Sequence, residues 1–232
     1  MVLFLKHIAI EGPGLLLDFF KNLGLKTGII DISAGESLPS FEDYQAIVFL
    51  GGPMNVYETD RYSFLLEEEK FLKKALAKEI PFLGICLGAQ ILAKVSNAKI
   101  KKAPLKEIGW YEVKLTGEGK DDFLFNGLGE KLTVFQWHED TFDLAPQAKL
   151  LARGDTCVNQ AFRVGKYAWG LQFHPEIKNG MLRSWLEYYN EDIDRDRILF
   201  NYFEKQDVYL SQAKHLCLNF AKVIKQAANV KD

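Results

Sequence analysis

The chain has 232 residues, 48% of them hydrophobic, which is enough apolar material for one sizeable core and for one or at most two domains. Its 29 basic and 31 acidic side chains leave a formal net charge of −2, so no basic excess points to nucleic acid or to an anionic membrane surface. The three cysteines, Cys86, Cys157 and Cys217, are odd in number and lack CxxC spacing, which favours a reduced, cytoplasmic protein without a metal-thiolate site.

The amino terminus, MVLFLKHIAIEGPG, is apolar but short and interrupted by Lys6 and His7, so it is expected to be a first strand over 2–9 and not a signal peptide. No later stretch approaches the length of a membrane span. LLLDFFKNLG predicts a short helix closed by Gly24, LKTGIIDI a second strand, and AIVFL a third strand that ends in Gly51-Gly52-Pro53. From Arg61 to Lys78 the pattern is helical, with Leu65, Leu72 and Leu76 on one face and Glu67, Glu68, Lys73 and Lys74 largely off it. PFLGI is a fourth strand and AQILAKV the helix that follows. Continuously apolar strands alternating with helices predict an α/β fold with a parallel sheet covered on both faces. Beyond about residue 98, GWYEVKL, KLTVFQWH, KLLARG, CVNQAFRV and KYAWGLQF predict an antiparallel excursion that rejoins the sheet at 168–173. A helix is expected over 179–189. Residues 195–229 read as largely helical, with Leu199, Phe203, Leu216, Phe220 and Val223 as packing positions.

Within PFLGICLGAQ, Gly84-Ile85-Cys86-Leu87-Gly88 has the form glycine–x–nucleophile–x–glycine between an apolar strand and a helix, as a nucleophile elbow requires. The thiol would project from the carboxyl end of the sheet, where open α/β folds bind ligands. The N–H groups opening the next helix would favour thiolate and could donate to an oxyanion. An isolated cysteine is usually one more buried small residue, but a glycine on each side of a core cysteine has no packing purpose. Of the four histidines, His7 suits packing or a hydrogen bond near the sheet, His215 a solvated helix face, and His138 in QWHED a pocket wall. His174 is the strongest base candidate: it ends YAWGLQF, Pro175 would fix its turn, and Glu176 could orient its ring. The Gly51-Gly52-Pro53 loop, beside the elbow, could bring a backbone N–H to the oxyanion, with the Leu87 N–H as the second donor.

Three separated motifs, GGPMNVYE at 51–58, PFLGICLGAQILA at 81–93 and FHPE at 173–176, together resemble the class I, triad-type glutamine amidotransferase family. WHED at 137–140 and EIGWYEV at 107–113 are similar to the branch that contains the glutaminase domain of GMP synthase. The likeness covers roughly residues 1–190, leaving 191–232 as a helical extension packed on the same domain, and a homodimer is a possible use of that tail. The resemblance implies a flavodoxin-like fold, no cofactor, no metal, and hydrolysis of a γ-glutamyl amide through a glutamyl thioester. It makes Cys86 the nucleophile, His174 the general base and acid and Glu176 its orienter. Gly52 and Leu87 become oxyanion-hole donors, Gln90 a residue that holds the substrate's amino-acid end, and Gln136, Trp137 and His138 a segment that lines the pocket chiefly through backbone groups.

No P-loop is present, so an ammonia acceptor is expected to be either on another chain or absent. Trp137 and Glu139 also depart from the SHGD-type segment of GMP synthases. Three functions follow: a glutaminase serving a separate synthetase, a stand-alone γ-glutamyl peptide hydrolase or transferase, and a non-catalytic redox-sensing relative. A sensor has no need of a His-Pro-Glu set or a second glycine turn.

Overall fold

The computed structural model describes residues 1–229; the last three positions of the 191–232 extension lie outside the described residues. In chain order the elements are β1 (Val2–Lys6), α1 (Gly14–Asn22), β2 (Thr27–Asp31), β3 (Ala46–Phe49), α2 (Phe64–Ala77), β4 (Phe82–Ile85), α3 (Leu87–Val95) and β5 (Ile100–Leu115). After a single turn of helix, α4 (Gly117–Lys120), come β6 (Lys131–Phe142), β7 (Lys149–Arg153), β8 (Asn159–Val164), β9 (Ala168–Leu171), α5 (Asn179–Tyr188) and α6 (Arg195–Asn229). One nine-stranded sheet runs in the order β2-β1-β3-β4-β9-β8-β7-β5-β6. The pairs from β2 to β9 are parallel, and those from β9 through β8, β7 and β5 to β6 are antiparallel. The fold is therefore α/β and flavodoxin-like, with the antiparallel strands as an extension of one edge.

The parallel strands are apolar along their length because both of their faces are covered. Alternate residues enter opposite cores. Val2, Phe4 and Val48 join Leu16 and Phe20 of α1 and Phe220 and Val223 of α6 on one face. Leu3, Leu5 and Phe49 join Leu65 and Leu72 of α2 and Ile91 of α3 on the other. At 35 residues, α6 is roughly 50 Å long. It packs first on α5, where Ile198, Tyr202 and Tyr209 meet Trp185 and Leu186, and then on the sheet face beside α1.

Several local expectations are corrected. The first strand stops at Lys6, and residues beyond it enter a turn in which the Glu11 N–H donates to the Ile8 carbonyl. The helix expected from Arg61 starts at Phe64. Glu68, read as off the packing face, is wholly buried because it pairs with His7. β5 begins at Ile100, well before GWYEVKL, because β6 supplies pairing partners on both sides of a bulge between Lys102 and Glu107. On α6, Leu216, Phe220 and Val223 are buried and Leu199 is half-buried, whereas Phe203 is 45% exposed. No described helix is long and apolar enough to cross a membrane.

The chain runs from β1 outward to β2 and then crosses to β3, so the topological switch point lies between β1 and β3. The carboxyl ends of β1, β3, β4 and β9 converge there, carrying His7 to Glu11, Gly51-Gly52, Cys86 and His174 respectively.

Candidate active site

Cys86 joins β4 to α3 with φ 50° and ψ −104°, a conformation that a side chain rarely adopts and that costs on the order of 1–3 kcal/mol. The turn is held from both sides: the Cys86 N–H donates to the Leu171 carbonyl of β9 at 2.8 Å, and its carbonyl accepts from the Gln90 N–H at 3.0 Å. The flanking glycines permit the close packing. A Cβ on Gly84 would lie 2.4 Å from the Gly88 carbonyl oxygen, and one on Gly88 would lie 2.4 Å from the Phe49 carbonyl oxygen of β3. The thiol donates to the Trp137 carbonyl at 3.7 Å.

His174 follows β9 and is tied to β6, its N–H donating to the Phe135 carbonyl at 2.9 Å. Its Nδ1–H donates to Glu176 Oε1 at 2.7 Å, and both side chains are buried. Gly51 marks the meeting point: a Cβ there would lie 3.0 Å from His174 Cε1, 3.6 Å from Cys86 Cβ and 2.6 Å from Glu11 Oε2. Burial pushes the imidazole towards its neutral form, but the Glu176 carboxylate and the neighbouring Cys86 sulfur outweigh it and hold His174 well above its ordinary value. The turn after His174 is fixed by α6. The Tyr209 hydroxyl donates to the His174 carbonyl at 3.0 Å and accepts the Ile177 N–H at 2.8 Å. Tyr209→Phe leaves both groups buried without that partner, and a loss of about 1–2 kcal/mol is expected in urea denaturation.

The Gly51–Gly52 peptide is oriented from behind. His7 Nδ1–H donates to the Gly51 carbonyl at 2.9 Å, while Nε2 lies 3.1 Å from Glu68 Oε1, and both side chains are fully buried. Burial opposes charge on His7, yet Glu68 and the Gly51 carbonyl together raise its pKa, consistent with an imidazolium that donates at both nitrogens. In a trans peptide the C=O and N–H point in opposite directions. The Gly52 N–H is therefore turned away from His7, and among the described residues it donates to no protein group. The Leu87 N–H opens α3 and is likewise one of the helix's unpaired donors.

The remaining residues singled out in the sequence divide between the cleft and its wall. Gln90 lines the cleft; its amide nitrogen donates to the Asp140 carbonyl at 3.2 Å and to Gln172 Oε1 at 3.3 Å, which leaves its oxygen to face inward. Trp137 and His138 also line it. The Gln136 side chain does not take part, being wholly buried and donating to Gln160 Oε1 at 2.6 Å. His138 is engaged at both nitrogens, with Nδ1–H donating to the Asp140 carbonyl at 2.9 Å and Nε2 3.0 Å from Glu107 Oε2. With Cys157, Glu107 and His138 bring three potential metal-ligand atoms within 4.8 Å of one another. The chemistry there fits a hydrogen-bonded network better than a metal. Gln160 donates to the same Glu107 oxygen at 2.9 Å, and burial, with Glu107 beside it, pushes the Cys157 thiol up to about 12.

These groups surround a cleft of about 200 Å³ at the switch point. A model of the family described as glutamine amidotransferase class-I matches residues 15–186. The chain belongs to that family. It is 29% identical over 194 residues to the glutamine amidotransferase-like protein YfeJ of Salmonella typhimurium, covering 82% of this chain and 81% of that one. It is 31% identical over 168 residues to a glutamine-hydrolyzing GMP synthase subunit from Sulfolobus acidocaldarius, 71% of this chain and 84% of that one. A crystal structure of a glutamine amidotransferase from Thermotoga maritima superposes with a TM-score of 0.87 at 36% identity, covering 94% of this chain and 96% of the other. The chain spans about a quarter of the glutamine-hydrolyzing GMP synthases of Bacteroides and Porphyromonas that it also matches. The family makes the chain an amidohydrolase-type enzyme.

Five residues of this amidotransferase cleft lie outside the motifs of the sequence, Glu11, Lys106, Trp185, Tyr189 and Glu191. Glu11 is 6% exposed and its Oε1 accepts from the Tyr189 hydroxyl at 2.5 Å. Burial raises the Glu11 carboxyl pKa, against the pull of His174. Trp185 stands edge-on to the His174 ring at 5.0 Å and donates its Nε1–H to the Ile10 carbonyl at 3.1 Å. The only signal for them is the EGPG turn after β1, which marks a loop and says nothing of what the carboxylate meets.

Proposed function

We propose that the chain hydrolyses the side-chain amide of a γ-glutamyl compound, with Cys86 as nucleophile, His174 as general acid and base, and Glu176 holding the imidazole. The observation that carries this reading is the convergence of a strained cysteine, a glutamate-paired histidine and an unpaired backbone N–H around Gly51. The Cys86 S–H proton passes to His174, the sulfur attacks the amide carbonyl carbon, and the oxyanion forms within reach of the Gly52 and Leu87 N–H groups. The His174 imidazolium gives its Nε2 proton to the departing nitrogen as the C–N bond breaks, leaving a γ-glutamyl thioester. Neutral His174 then takes a proton from water, whose oxygen attacks the thioester, releases glutamate and restores the thiol. Gln90, through its free oxygen, and the Trp137–His138 segment receive the amino-acid end of the substrate. The His7–Glu68 pair acts at a distance, by fixing which way the Gly51–Gly52 peptide faces.

The test is release of ammonia from glutamine, and of amine from other γ-glutamyl amides, by the purified chain near neutral pH. Retained ammonia release in Cys86→Ala would overturn the reading. Activity that rises when a separate synthetase chain is added would place the chain beside its Sulfolobus relative, whose name is that of one part of a larger synthase.

Glu176→Gln has a signed pH consequence. The Glu176 charge raises the His174 pKa above its ordinary 6.5, so the proton needed by the leaving group persists above that value. Removing the charge lowers that pKa, and the alkaline limb of the kcat/KM profile is expected to move to lower pH. The loss at the optimum should be much smaller than in His174→Ala, because the base itself remains.

A further inference from the structure

We propose that the side of the cleft beside His174 is a subsite for a cationic amine. There Glu11, walled by Trp137, Trp185 and Tyr189, receives the ammonium at the far end of the leaving group. The favoured substrates are then γ-glutamyl conjugates of short diamines. This deepens the γ-glutamyl amide reading and rests on it for the reaction, though not for the binding.

Glutamine asks nothing of this region, since its leaving group is ammonia. Yet a carboxylate only 6% exposed is held there, with one oxygen bonded to Tyr189 and Oε2 without a hydrogen-bond partner among the described residues. That free oxygen lies 2.6 Å from the Cβ position of Gly51, on the His174 side of the nucleophile. The cations nearby are engaged elsewhere. Lys106 pairs with Glu191 at 2.5 Å and Lys102 with Glu139 and Asp140 at 3.1 Å, while His174 and His7, whose charge also attracts Glu11, spend their hydrogen bonds on Glu176 and on Glu68 and the Gly51 carbonyl. A buried carboxylate oxygen that no donor reaches is costly, and a ligand ammonium that donates to it removes that cost.

The aromatic walls point the same way. The ring centroid of Trp137 lies 5.9 Å from that of Trp185 and 5.4 Å from that of Tyr189, at interplanar angles of 87° and 46°, so the three rings form one differently tilted cluster on the wall of the cleft that Glu11 also lines. Aromatic faces around a carboxylate are the chemistry that recognises an ammonium group. Packing of α5 against β6 explains the aromatic residues, but it does not explain an acid with a free oxygen among them. The leaving-group side is the right one, because His174 must deliver its proton to the departing nitrogen. The amino-acid end of the substrate lies towards Gln90, whose free oxygen suits the α-ammonium. In the reaction the sulfur–carbon bond forms, the carbon–nitrogen bond breaks, and the released nitrogen takes the His174 proton. The distal ammonium is unchanged, and water completes hydrolysis of the thioester to glutamate.

The experiment compares mono-γ-glutamyl-1,4-diaminobutane with its uncharged isostere, N-butyl-γ-glutamide, by the ratio of their kcat/KM values. The wild type is expected to favour the charged substrate about tenfold, the equivalent of about 1.4 kcal/mol, and Glu11→Gln to bring the ratio close to one. A wild-type ratio near one, or a Glu11→Gln variant that loses both activities in equal measure, would overturn the proposal, because a merely structural role moves both rates together. Binding of 1,4-diaminobutane to full-length Cys86→Ala, followed by tryptophan fluorescence, tests the subsite without turnover. Saturable binding weakened about tenfold by adding Glu11→Gln supports it, and no saturable binding overturns it. If the diamine binds in this Glu11-dependent way while no γ-glutamyl amide is cleaved, the subsite stands and the hydrolase reading is what fails.

Discussion

Cys86→Ala is expected to reduce γ-glutamyl amide hydrolysis by at least about 10⁴-fold, with the fold intact. The size follows from what the residue supplies. Without sulfur there is no thioester, and water attacking directly would have only the backbone donors and the cleft to help it. The fold should tolerate the change because alanine removes one atom from a side chain that is 6% exposed, while the Cys86 backbone keeps its bonds to Leu171 and Gln90. Cys86→Ser is the sharper variant. A hydroxyl in place of the thiol keeps the shape, yet it is far less nucleophilic at neutral pH, so a comparable loss is expected. Circular dichroism and the melting temperature, unchanged within a few degrees, would separate lost chemistry from lost structure.

Gly88→Ala is expected to damage both stability and activity. Its new methyl would sit 2.4 Å from the Phe49 carbonyl oxygen and 2.7 Å from Phe49 Cβ. Neither is the end of a flexible side chain, so α3 would have to move away from β3. Overpacking of this kind costs about 3 kcal/mol. For a chain of this length that lowers the melting temperature by about 6–12 °C in calorimetry. The displaced helix would also carry the Leu87 N–H and the Cys86 turn with it, so activity should fall more than stability alone explains. Gly180→Ala is the internal control. Nothing lies within 4 Å of its Cβ position in α5, and a small gain in stability is expected there.

The contrast between these two glycines shows what a sequence can convey. The elbow is legible because its demands are local: a strand, a strained residue, a helix, and no room for side chains on either side. His174 and Glu176 are legible for the same reason, since a histidine at a strand end, a proline and a glutamate two residues on act within one turn. The parallel half of the sheet is legible because strands covered on both faces must be apolar throughout. The antiparallel edge is less so. Residues 100–108 contain Lys101, Lys102 and Pro104 and look unlike a strand; they are one because β6 pairs with them across a bulge. Phe203 reads as a packing residue from its apolarity, but helix α6 presents Tyr202 and Tyr209 to the body and leaves Phe203 outside. Pairings between residues far apart in the chain leave no trace at all. Glu68 reads as a surface acid until His7 is placed beside it, and Glu11 meets a tyrosine hydroxyl 178 residues away.

The most direct measurement is the intact mass of the protein after rapid acid quench from saturating glutamine or a γ-glutamyl amide, followed by peptide mapping. The account predicts a transient increase equal to one glutamyl group, located on the peptide that carries Cys86, abolished in Cys86→Ala and discharged by hydroxylamine. Turnover without any such adduct, or an adduct on a residue other than Cys86, would contradict it.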